Sequence, residues 1–164
     1  MSRACSRRNG WIGVVLSLVL LAGASACNKN ADLSDLDAAS EQLRAIMDSA
    51  IAAMGRGDAT GLRDCRGELA ALRLQAEKMS LERSGGDLRD TLLVVLDDLG
   101  DAFDATASGL EKRGDAGRRP QSDRGTDDLR EASAHLERGQ RKLESALASL
   151  QSYGEIRTRL ESGR

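Results

Sequence analysis

From Leu33 almost to the C-terminus, apolar residues recur at alternating steps of three and four, the period of amphipathic helices that turn one face to a core. No stretch reads as strand. The first helix is predicted over about 32–54, with Leu36, Leu43, Ile46, Met47, Ala50, Ile51 and Met54 on one face and Gly55 as its left-handed terminator. The second, about 59–83, has the cleanest spacing: Leu62, Cys65, Leu69, Leu72, Ala76 and Met79 follow one another by 3, 4, 3, 4 and 3, a heptad seam. Asp58 is its predicted N-cap and Gly85-Gly86 its end. The third runs from Asp87, as N-cap, to about Lys112. Its Leu88, Leu92, Val95, Leu96, Leu99, Phe103 and Leu110 form a stripe broad enough to predict the most buried place in the fold. The fourth begins near Thr126 and carries Leu129, Ala132, Leu136, Leu143, Leu147, Leu150 and Tyr153, with Ile156 and Leu160 extending it past Gly154 toward a frayed end.

Between the third and fourth helices, residues 113–125 are rich in Gly, Arg and Asp, contain the sole proline, Pro120, and lack any large apolar side chain, so they read as a flexible linker. Short connections after the first two helices make sequential neighbours antiparallel. The predicted fold is therefore all-α, an antiparallel up-down bundle of about four helices over residues 32–164. Its core is built from Leu and Ala with a single Phe, and small side chains bury little area each, so modest stability is expected. Glycines inside the pattern, Gly67, Gly100 and Gly139, each cost up to about 1 kcal/mol relative to Ala. An extended hairpin that closes only on dimerising is the alternative.

The first 26 residues do not belong to this pattern. Residues 1–10 are basic through Arg3, Arg7 and Arg8, residues 11–21 are apolar or small and uncharged, and Ala22-Gly23-Ala24-Ser25-Ala26 leads to Cys27. These are the charged region, apolar region and small-residue cleavage site of a secretory signal. A spanning helix needs about 20 predominantly apolar residues, more than this run supplies, so residues 1–26 read as a cleaved signal peptide. The segment from Gly23 to Cys27 resembles the lipobox of bacterial lipoprotein precursors, although Ala24 stands where Leu is usual. The resemblance implies cleavage between Ala26 and Cys27 and a covalent lipid on the Cys27 sulfur, the thiol being the nucleophile that accepts it. Asn28 rather than Asp follows the cysteine, which in that family implies sorting to the outer membrane, facing the periplasm. Ala24-Ser25-Ala26 also satisfies the ordinary signal-peptidase rule, so a soluble periplasmic product is the alternative. Residues 27–31 are the lipidated N-terminus and a short tether.

Removing residues 1–26 takes away three arginines and no acid, moving the formal charge from -2 to -5. A mildly acidic chain excludes nucleic acid as an expected partner. Arg outnumbers Lys within the 24 basic residues, a compositional bias more than a recognition device. Cys5 leaves with the signal and Cys27 is committed to lipid, which leaves Cys65 and no intrachain disulfide. On its seam position Cys65 reads as a small buried hydrophobe; its functional alternative is an intermolecular disulfide or a redox-reactive thiol.

Chemistry is sparse in the helices. The sole histidine, His135, is preceded at the Glu-x-x-His offset by Ala132 and not by a carboxylate, which argues against a carboxylate di-metal centre. Asp97, Asp98, Asp101 and Asp104 lie on or near one face of the third helix, and read as a solvated acidic face pairing with arginines of an adjacent helix, since one rigid helix does not wrap a hard cation. Arg56-Gly57-Asp58 and Arg113-Gly114-Asp115 both spell an adhesion tripeptide, which helix termination by Gly and capping by Asp explain without a receptor. No nucleophile, base and orienting group assemble. The expectation is a non-enzymatic lipoprotein without metal or cofactor. It is anchored to the membrane by Cys27 and engages another envelope protein, or itself, through the second or fourth helix. An immunity-type lipoprotein that neutralises a toxin and a metal-binding or enzymatic bundle are the competing expectations.

Overall fold

The computed structural model describes residues 31–79, 83–118 and 123–162, and every element among them is an α-helix. Helix α1 spans Ala31–Arg56, α2 Ala59–Glu77, α3 Arg83–Arg118 and α4 Asp123–Ser162. Side-chain pairs between helices fix their directions. Arg63 binds Glu111 and Arg73 binds Asp97, so numbers rise along α2 as they fall along α3. Lys112 with Glu131 and Lys142 with Asp98 do the same for α3 and α4. Asp37 with Arg157, and the Ser40 hydroxyl with that of Tyr153, do so for α1 and α4. Together with the reversal between α1 and α2, this is the antiparallel up-down bundle that the apolar period predicts, with one cluster of buried residues drawn from all four helices.

The broad stripe of α3 lies at the centre. Of the nine largest fully buried side chains, six belong to α3: Leu88, Leu92, Val95, Leu96, Leu99 and Phe103. The seam of α2 is buried as spaced, through Leu62, Cys65, Leu69, Leu72 and Ala76. On α4 the burial begins at Ala132, whereas Leu129 is 49% exposed, because α3 offers Lys112 and Asp115 near that level instead of leucines.

Helix ends differ from the expected ones. Helix α1 runs through Gly55 to Arg56, and the left-handed residue is Gly57, at φ 68°. The Gly57 N–H donates to the Met54 carbonyl at 3.1 Å and the Asp58 N–H to that of Ala53 at 2.9 Å, a Schellman turn. Asp58 then caps α2 as predicted, accepting from the Gly61 N–H at 2.9 Å. Terminating at Gly57 puts the capping residue directly after the turn. Helix α2 ends at Glu77 and α3 starts at Arg83, so Gly86 and Asp87 lie inside α3 and Asp87 is not its cap. Glycine weakens a helix by about 1 kcal/mol without forbidding it, and Arg89 ties these first turns to the residues just after α2 by donating to the Met79 carbonyl at 3.2 Å.

The predicted 113–125 linker is largely helix. Residues 113–118 complete α3 and 123–125 open α4, while 119–122 lie outside the described residues. Ala116, seven residues after Gly109, keeps the buried seam going at 9% exposure, and α3 is described as far as Arg118. At the other end α4 passes through Gly154 to Ser162, with Ile156 and Leu160 half-buried against the core.

Helices α3 and α4 share the most extensive contact among the described helices, and each carries small side chains at a period of seven. On α3 these are Val95, Ala102, Gly109 and Ala116; on α4, Ala132, Gly139 and Ala146, with Tyr153 next in the row. All are buried. A Cβ on Gly109 would stand 2.8 Å from Leu136 Cγ, and one on Gly139 would strike the Thr106 hydroxyl and lie 3.2 Å from the Ala102 carbonyl oxygen. Both glycines are where two backbones meet.

Candidate functional site

The aspartate row of α3 divides between two neighbours. Asp97 and Asp104 face α2, where Arg73 and Arg66 bind them at 2.5 and 3.8 Å. Asp98 and Asp101 face α4, where Lys142 bridges both at 2.9 and 3.1 Å. The predicted pairing with arginines of an adjacent helix holds for the first two alone; the other two meet a lysine. A helix turning about 100° per residue sends positions 97 and 98 toward different partners, which a one-dimensional count of carboxylates conceals.

Asp98 is the least exposed of the four, at 15%, and Ser145 donates to it at 2.6 Å beside Lys142. Burial alone would raise its carboxyl pKa, but the bonds from Ser145 and Lys142 outweigh that and leave it below the ordinary value. A carboxyl depressed in the folded state contributes stability at pH above its unfolded value, about 3.9, and the contribution is lost as pH falls through the lower folded value. The expected result is that Asp98→Asn is less stable than wild type at pH 7 and that the gap narrows below about pH 4. Urea midpoints from pH 7 to pH 3 check this; a gap constant across the range would refute it.

Toward the α3–α4 connection the facing surfaces of these two helices turn polar. Ser108, Glu111, Lys112, Asp115, Asp128 and His135 line an open cleft of about 420 Å³. Two of its charges are paired with side chains at its margin. Glu111 accepts two bonds from the Arg63 guanidinium, which hold its carboxyl below the ordinary range. Lys112 donates to Glu131 at 2.6 Å, which lowers the Glu131 carboxyl and raises the ammonium. His135 is half-buried, with Nε2 3.9 Å from Glu131. Among the described residues no three His, Cys, Asp or Glu side chains converge as a metal ion requires.

Cys65 is 5% exposed and unpaired with another cysteine. Burial pushes its thiol pKa up, and the nearby Glu68 and Asp64 carboxylates push it further, the opposite of the electropositive, open surroundings that make a thiol reactive. Cys65 is therefore expected to react with a thiol reagent only as fast as the bundle opens, and at once in denaturant; labelling in native buffer within the mixing time would overturn its placement.

Neither adhesion tripeptide presents a free loop. Asp58 is occupied as the α2 cap, 3.8 Å from Arg56. Arg113, Gly114 and Asp115 lie within α3 and not after its end as the spacing suggested. Cys27 and Ala26, the residues of the lipobox-like segment, lie outside the described residues. The feature that the apolar period passed over is the Gly109 and Gly139 contact. A period-seven count of small residues, Ala132-Gly139-Ala146, was the available signal.

No protein-family model matches the chain, and neither a curated protein nor a solved structure is detectably similar to it.

Proposed function

We propose that the protein is a lipid-anchored envelope lipoprotein, sorted to the outer membrane and facing the periplasm, whose helical bundle binds another envelope protein and catalyses nothing. One observation carries the reading. A cysteine stands directly after the small-residue run Gly23-Ala24-Ser25-Ala26, behind a basic and then an apolar segment, and only Asn28, Lys29 and Asn30 separate it from the start of α1. At up to about 3.6 Å per residue those three reach little more than 10 Å, a tether suited to a task done at the membrane surface rather than to reaching across a compartment.

The binding role is assigned to the outer faces of α2 and α4. Its inward faces are consumed by the core, and the large apolar side chains exposed among the described residues are Leu74 on α2, Val94 on α3 and Leu129 on α4. Scattered single residues of this kind are ordinary surface and serve only as positions from which to probe the two helices named. A photo-crosslinking residue placed at Leu74 or at Leu129 in living cells is expected to yield a defined adduct with one envelope protein from at least one position. Absence of any protein adduct from both faces would remove the binding role.

A further inference from the structure

We draw no further inference here: the strongest candidate, the polar cleft between α3 and α4 that holds Glu111, Lys112, Asp128 and His135, is occupied by ion pairs among its own side chains and their neighbours, and nothing in the structure shows what ligand would displace them.

Discussion

Cells producing a Cys27→Ser chain are expected to release the mature-length protein from the membrane pellet into the soluble fraction, while the wild-type chain stays in the pellet. Serine keeps the size of the side chain but removes the sulfur on which a thioether-linked lipid would be built. Each buried CH₂ of an acyl chain holds a protein to a bilayer by about 0.8 kcal/mol, and stable anchoring takes two chains or a second signal. No described helix is long and apolar enough to cross a membrane. Ala24-Ser25-Ala26 remains available to an ordinary signal peptidase in the variant, so a cut at the same bond leaves an unlipidated chain. An uncut precursor retains the apolar segment at residues 11–21 and stays in the pellet for that reason, so intact mass must accompany fractionation. Mature-length Cys27→Ser protein found in the pellet at the wild-type share would end the lipid assignment. So would a wild-type N-terminus whose mass shows an unmodified Cys27.

A comparable loss is expected inside the bundle from Gly139→Val. The first added carbon strikes the Thr106 hydroxyl, and that hydroxyl has little freedom to retreat. Thr106 is 6% exposed, its Oγ1 donates to the Ala102 carbonyl at 2.8 Å, and a β-branched side chain in a helix has few χ1 choices. Helices α3 and α4 must therefore separate, opening the small-residue contact along its length. Overpacking of this kind costs about 1–3 kcal/mol, and the upper part of that range is expected for valine. For a domain of this size that corresponds to a melting temperature lower by roughly 10 °C. Gly67→Ala is the matched control: nothing lies within 4 Å of its would-be Cβ, so helix propensity alone acts and stability rises by up to about 1 kcal/mol. Adding Thr106→Ala to Gly139→Val restores part of the loss. A Gly139→Val protein melting within about 2 °C of wild type would show that the two helices are free to move apart.

The pair of glycine substitutions also shows where reading the chain by itself stopped. Gly67 and Gly139 look alike in the apolar period, two costly residues inside helices. The fold separates them: one faces open space and the other is packed against the Thr106 side chain and the backbone of α3. Cys65 was legible because its neighbours in the seam, Leu62 and Leu69, are spaced to share its face. Leu129 was misread for a related reason, since its spacing matches the seam but whether it is covered depends on what α3 presents at that level. The aspartate row was misread in part because which of two neighbouring helices each carboxylate meets is a matter of bundle geometry.

Sequence alone determined that the chain is helical, that Leu, Ala and Phe103 line one core, and that α3 lies deepest, because a period near 3.6 residues and the breadth of each apolar stripe are local properties. It is also the sole source of the Cys27 expectation, a covalent motif that needs no fold. The tertiary structure decided the rest: that α3 continues to Arg118 through the predicted linker, that Gly57 and not Gly55 makes the turn, and that Gly109 and Gly139 set the spacing of α3 and α4. The physical reasons differ: the turn at Gly57 is chosen by local Schellman bonds and the Asp58 cap, whereas the buried seam through Ala116 and the close approach at Gly109 and Gly139 depend on the other helices. Burial of a helix face and close approach of two helices gain free energy against residues remote in the chain, which outweighs intrinsic preferences worth about 1 kcal/mol or less per residue.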